Sequence, residues 1–177
     1  MSGANQIDTA EKAEALIDIL RKKGLTLAFA ESCTGGLAAA AVVAVPGASD
    51  VFFGGVVSYD NSVKENLLGV PQSVLESAGA VSAPCALQMA RGAREAVGAD
   101  IAVSVTGIAG PGGGTPEKPV GTVYIAVSSS RGARARRLYL GKLGGRSEIR
   151  ARSVFEMLAL ALGEAEEADY SASITEL

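Results

Sequence analysis

Leu25-Thr26-Leu27-Ala28-Phe29-Ala30-Glu31-Ser32-Cys33-Thr34-Gly35-Gly36-Leu37 is the stretch on which the reading of this chain turns. Its first six residues are apolar, short and bounded by Gly24, which predicts a buried strand. From Leu37 the chain is alanine-rich until Pro46-Gly47, which predicts a helix with a Pro-Gly stop. Ser32 therefore stands where a strand turns into a helix. At such a turn free N–H groups and the positive end of the helix dipole meet. A hydroxyl nucleophile, an oxyanion pocket and a phosphate seat could all be built there. The plainer alternative is that Ser32 only caps the helix.

The same alternation of strand and helix continues outward. Asp8 and Glu11 have the spacing of a capping box, and Ile7, Ala10, Ala13, Leu16, Ile17 and Leu20 follow at helical spacing. Residues 51–59 read as a second strand, whose Gly54-Gly55 suggests a bulge or a close backbone approach. Two short helical pieces follow, over 60–68 and 71–77, and a longer helix opens at Ser82-Ala83-Pro84 and ends at Gly98. Residues 101–106 form a third buried strand that runs into the glycine-rich stretch Gly107 to Gly114. Residues 120–128 and 133–140 read as a hairpin around Arg131-Gly132. A last helix capped by Ser147 carries Ala151, Val154, Phe155, Leu158 and Leu162 as its apolar stripe. Early alternation and a late hairpin predict an α/β fold, a three-layer α/β/α sandwich on a mixed sheet of about five strands. Residues 1–163 are expected to form a single domain, and 164–177 an acidic, frayed tail.

Composition excludes several function classes. Of the 19 acidic residues five follow Gly163, with no Lys or Arg among them, so the rest of the chain is slightly positive. That is no nucleic-acid footprint, though it tolerates a small anion. The longest apolar run, 37–45, is too short for a bilayer, and the N-terminus has no signal-peptide pattern, so no membrane partner is expected. Cys33 and Cys85 form no C-x-x-C pair, which points to reduced thiols in a cytoplasm. The chain has no histidine, which removes the Ser-His-Asp and Cys-His mechanisms and most catalytic zinc sites. No metal ligand set and no cofactor motif is found: the glycine-rich loop lacks the P-loop lysine, and G-x-G-x-x-G and Ser-x-x-Lys are missing.

Two strands end in glycine-bearing turns, at Ser32 and at Thr106, and a third ends at Ser58-Tyr59. Ligands of open α/β sheets sit beyond the carboxyl ends of strands. Without histidine, Tyr59 and Lys64 remain as candidate bases for Ser32, the plainer alternatives being an edge aromatic and a solvated lysine. Glu31 is a weak base unless its pKa is raised. Arg131, Arg134, Arg136 and Arg137 could meet phosphates, or guard an edge strand.

Ala30 to Gly36, Ser58-Tyr59 with Lys64, Thr106-Gly107-Ile108-Ala109-Gly110-Pro111 and Lys118-Pro119-Val120-Gly121-Thr122-Val123 together resemble one family over residues 8–162. The chain is similar to the C-terminal domain of the CinA (competence/damage-inducible) proteins in its stand-alone form. The resemblance implies a bacterial cytoplasmic amidohydrolase that converts nicotinamide mononucleotide and water to nicotinate mononucleotide and ammonia. It implies Ser32, Tyr59 and Lys64 as catalytic residues. Substrate binding would fall to Cys33, Thr34, Gly35, Gly36, Thr106, Gly107, Gly110 and Arg146. The family's Gly-Asp-Arg stretch falls on Gly144, Gly145 and Arg146, with Gly145 in place of the aspartate. The substrate would be the only small-molecule partner, and a homodimer or higher homo-oligomer is expected. The alternative function is a nucleotide-binding regulatory or protein-interaction module that kept the pocket and lost catalysis.

Overall fold

The computed structural model describes residues 3–168, and side chains from residue 9 onward. In chain order the elements are α1 (Gly3–Lys23), β1 (Leu27–Glu31), α2 (Leu37–Val43), β2 (Phe52–Val57), α3 (Asn61–Leu68), α4 (Gln72–Ser77), α5 (Ala83–Val97), β3 (Ile101–Gly107), β4 (Thr122–Ser129), β5 (Gly132–Tyr139) and α6 (Arg146–Glu167). The five strands lie in the order β2-β1-β3-β4-β5. The first three are parallel, and β4 and β5 join them antiparallel through the hairpin. Glu31 is in register with Val57 on one side and Val105 on the other, so the three parallel strands end side by side. The register between β1 and β2 shifts at Leu27/Ala28, which is the irregularity that Gly54-Gly55 suggested.

The sheet has two unlike faces because its strands alternate large and small residues at period two. Leu27, Phe29, Val103, Val105, Val123, Ile125 and Val127 pack with α1, α2 and α6 in the larger core. On the other face Ala28, Ala30 and Ala102 meet Cys85, Met89 and Ala93 of α5. Ala126 meets Ala86 and Ala90 of the same helix. The small face lets α5 lie close to the sheet, with the Ser104 hydroxyl donating to the Ala86 carbonyl at 2.6 Å. Helices on both faces of a five-stranded mixed sheet make the three-layer α/β architecture.

Three local expectations need correction. The helix expected to start at Asp8 begins at Gly3, so Asp8 is inside it; the side chains of Ile7 and Asp8 lie outside the described residues. Ser147 does not cap the last helix: Gly145 is the N-cap, and its N–H donates to the Glu148 carboxylate at 3.2 Å. The expected tail does not begin at Glu164, because α6 continues to Glu167. Glu164 is 1% exposed, accepts from the Ser129 hydroxyl and pairs with Arg134. A buried carboxylate with partners on the hairpin holds the helix in register there. The remaining acids of the tail, Asp169 and Glu176, lie outside the described residues. β5 is an edge strand, and arginines of the strand and of the turn before it face acids of α6, Arg136 with Glu156 and Arg131 with Glu167. That answers the two readings of the arginine run in favour of an edge held and guarded by charge. No helix of the described residues is long and apolar enough to cross a membrane.

One close approach couples this packing to α3. A β-carbon at Gly92 of α5 would stand 1.9 Å from the Leu68 carbonyl oxygen at the end of α3. Gly92→Ala is therefore expected to destabilise by about 1–3 kcal/mol, although the same change in an open helix gains roughly 1 kcal/mol. Gly163→Ala on α6, where nothing lies within 4 Å, is expected to show that gain. Urea denaturation of the two variants beside the parent checks both signs.

Candidate active site

Glu31 decides the shape of the turn after β1. Its side chain is 1% exposed, yet it ends a strand and begins no ion pair among the described residues. It accepts instead from the Thr34 hydroxyl at 2.6 Å, from the N–H of Gly36 at 3.0 Å and of Ala38 at 3.1 Å, and, through its other oxygen, from the N–H of Ala39 at 2.9 Å. The start of α2 is thus satisfied by a carboxylate of the chain itself. The expected phosphate seat at this helix start is occupied, and the notion of Glu31 as a base falls with it. The sequence signal was present in an acid three to eight residues before the donors, but only the fold back of the turn reveals it.

Ser32 is not the helix cap. That position belongs to Gly36. The Ser32 N–H donates to the Val105 carbonyl at 3.1 Å, while its hydroxyl makes no hydrogen bond with the described protein. The N–H groups along the turn can be accounted for one by one. Gly35 donates to the Ser32 carbonyl at 3.1 Å, Gly36, Ala38 and Ala39 to Glu31, and Ala40 to the Gly36 carbonyl. Those of Cys33, Thr34 and Leu37 have no acceptor on another described residue, and the first two directly follow Ser32 in sequence.

Ser32, Cys33, Tyr59, Lys64, Thr106 and Arg146 line one cleft of about 230 Å³ at the carboxyl ends of β1, β2 and β3. Gly107 joins them, and a β-carbon there would stand 2.7 Å from Val123, so the strand end can lie against β4 only as glycine. Lys64 enters from α3 and is 1% exposed. Its ammonium nitrogen donates to the carbonyls of Ser58 at 2.7 Å and Tyr59 at 3.3 Å. Burial pushes its pKa down from 10.5, against weaker upward influences from Cys85, Asp60 and Cys33. No neighbouring cation has a part in this; desolvation is the cause. A neutral amine has two hydrogens for the two carbonyls, which leaves its lone pair free to take a proton.

The remaining expected site residues divide. Tyr59 is 62% exposed on the rim, and its hydroxyl accepts from Arg146 at 3.1 Å; only its backbone carbonyl meets Lys64. Arg146 also donates to the Gly110 carbonyl at 2.8 Å, so it joins the rim to the second glycine-rich loop. The Thr106 hydroxyl is spent on the Ala80 carbonyl at 2.8 Å, which holds the α4–α5 connection over the cleft. Thr34, Gly35, Gly36 and Gly110 shape the turns without lining the cleft. Cys33 does line it, but burial pushes its thiol up to about 12, which leaves Ser32 as the nucleophile candidate. Sequence reasoning missed Asn61, Ala80, Val81 and Ala109, which line the cleft from positions next to residues it did single out. No carboxylate lines the cleft, and its charged residues are Lys64 and Arg146. Among the described residues no group of three His, Cys, Asp or Glu is placed to hold a metal.

The sequence profile of the CinA C-terminal domain matches residues 9–164. A CinA-like protein of Prochlorococcus marinus is 48% identical over 151 residues, 85% of this chain and 35% of that protein. A CinA-like protein of Geobacter sulfurreducens is 55% identical over 130 residues, 73% of this chain and 30% of that protein. The chain thus spans about a third of the length of the curated relatives it matches. Among solved structures, the competence/damage inducible protein CihA from Agrobacterium tumefaciens superposes with a TM-score of 0.87 at 43% identity, covering 90% of this chain and 96% of that one. The competence damage-inducible protein A (ComA) from Klebsiella pneumoniae superposes with a TM-score of 0.86 at 33% identity, covering 91% and 99%.

The buried lysine makes stability depend on pH with a definite sign. Because the folded state has the lower pKa, the unfolded state binds more protons between that value and 10.5, so stability rises with pH across this window. Urea denaturation in steps of pH up to 10.5 is expected to show the parent gaining stability relative to Lys64→Met, the contrary influence of the buried thiols being common to both.

Proposed function

The chain belongs to the CinA C-terminal domain family, and from that premise we propose that it is an amidohydrolase. In this reading nicotinamide mononucleotide and water give nicotinate mononucleotide and ammonia. The observation that carries the reading is a serine hydroxyl with no structural hydrogen bond in one cleft with a buried lysine whose pKa is lowered.

The neutral Lys64 amine takes the Ser32 proton as Oγ attacks the carbonyl carbon of the amide. The N–H of Cys33, which lines the cleft, holds the oxyanion, and one such donor is typically worth ~10²–10³ in rate. Collapse breaks the C–N bond. The leaving nitrogen takes the proton back from Lys64 and departs as ammonia, leaving an ester on Ser32. A water, deprotonated by Lys64, attacks the ester and restores the serine as the nucleotide acid leaves. Tyr59, whose hydroxyl is engaged by Arg146, borders the cleft rather than standing between Lys64 and Ser32 in this scheme. A cleft with the Arg146 cation at its rim and no carboxylate suits a substrate that carries phosphate. Arg146 at the rim is the group for it. At about 230 Å³ the cleft is below the usual ~300–1,000 Å³ of a small-molecule site, so it would enclose the reacting ring and leave the phosphate at the rim.

Ammonia release from nicotinamide mononucleotide is the direct test. Ser32→Ala is expected to lose at least ~10² in kcat with KM changed little, and intact-mass analysis of the parent in a single turnover is expected to show the acyl-enzyme. Nicotinamide riboside, without the phosphate, is expected to have the lower kcat/KM, and chelators to have no effect. A Ser32→Ala variant that keeps more than about a tenth of the parent kcat, a loss under ~1.4 kcal/mol, rules out the serine as nucleophile.

A further inference from the structure

Arg150 stands one helical turn after Arg146 and does not line the cleft. Its Nε donates to the Cys33 carbonyl at 3.1 Å and its Nη2 to the Thr34 carbonyl at 2.7 Å. It has no carboxylate partner among the described residues. Each of those carbonyls shares a rigid trans peptide plane with the next N–H, which points the opposite way. The Cys33 carbonyl is coupled in this way to the Thr34 N–H, which has no acceptor among the described residues. The Thr34 carbonyl is coupled to the Gly35 N–H, which closes the turn onto the Ser32 carbonyl at 3.1 Å. A planar fork that engages two successive carbonyls prevents either peptide from rotating.

We propose that Arg150 is a positioning residue for the oxyanion: it clamps the Cys33 and Thr34 peptides, so that the Gly35 N–H stays on the Ser32 carbonyl and the Cys33 N–H of that same peptide plane is held ready beside Ser32 in the cleft. The inference rests on the reading of Ser32 as nucleophile. Glu31 fixes the helix side of the turn and Arg150 the outer side, so the donor is oriented before substrate arrives. Hydrogen bonding at a peptide oxygen also polarises the N–H of the same unit, which strengthens it as a donor. The unpaired guanidinium charge adds a favourable field for the developing oxyanion. Lysine in its place is a point donor and holds one carbonyl at most.

The test compares the parent with Arg150→Gln, Arg150→Lys and Ser32→Ala, each checked for its melting temperature. Two rates are read: turnover of nicotinamide mononucleotide, and phosphonylation of Ser32 by a fluorophosphonate, followed by intact mass. Phosphonylation needs the nucleophile and the oxyanion donors but not the natural substrate. Arg150→Gln is expected to lower kcat and the phosphonylation rate by about 10–100-fold with KM within about threefold, since one donor is worth up to ~10³. Arg150→Lys is expected to lie between Arg150→Gln and the parent, and supplies the comparison if the glutamine variant does not fold. A folded variant at position 150 that keeps more than half of the parent phosphonylation rate overturns the proposal and leaves the arginine as a packing contact. A parent that is phosphonylated at Ser32 but releases no ammonia overturns the substrate reading alone, and the phosphonylation rates still decide the role of Arg150. A parent that is neither phosphonylated nor active overturns the serine reading and the proposal together.

Discussion

The carboxylate of Glu31 is the interaction on which the site depends. Taking a carboxylate out of water costs several kcal/mol, and only a full set of donors offsets it. Here the donors are one hydroxyl and three backbone N–H groups, all from the eight residues that follow. The chain must double back over the end of β1 to deliver them, which makes the turn compact. It also places the negative charge on the positive end of α2. What remains of the turn's hydrogen-bonding capacity is therefore small: the Ser32 hydroxyl and the N–H groups of Cys33, Thr34 and Leu37.

The sheet supplies the second half of the arrangement. Its small face draws α5 close, and α3 packs on α5 so tightly that Gly92 admits no side chain. The lysine on α3 is thereby driven into the interior, where two strand-end carbonyls receive its hydrogens. Burial alone lowers its pKa, with the nearby acid and thiols acting the other way. Packing density on one face of the sheet and proton affinity in the cleft are in this sense the same fact.

The last helix works at both ends. Its first two turns bring Arg146 to the rim and Arg150 to the carbonyls behind Ser32. Its far half carries Glu156, Glu164 and Glu167 against the arginines of the edge strand β5. A helix fastened along its length does not swing, so the two arginines at its start are held as firmly as the core beneath them. The cleft, with Arg146 at its rim and no carboxylate, is consistent with an anionic substrate and with the amide hydrolysis proposed for this member of the CinA family.

The sequence alone determined the elements and their order, because buried parallel strands are continuous apolar runs and glycine and proline mark where they end. It also singled out Ser32, Tyr59 and Lys64, since reactive residue types stood at or just beyond strand ends, whereas Arg146 came only through the resemblance to the family. What it left open depends on contacts between residues far apart in the chain. Lys64 was equally readable as a solvated helix lysine, and only the packing of α3 on α5 buries it. Ser32 was equally readable as a cap, and only the return of the turn gives that duty to Glu31. The hydroxyl of Thr106 reached Ala80, and the guanidinium of Arg150 reached a turn more than a hundred residues earlier. Local propensity carries no information about such pairs. They are decided when the sheet brings three strand ends together and each buried polar group must find the partner that the tertiary structure leaves it.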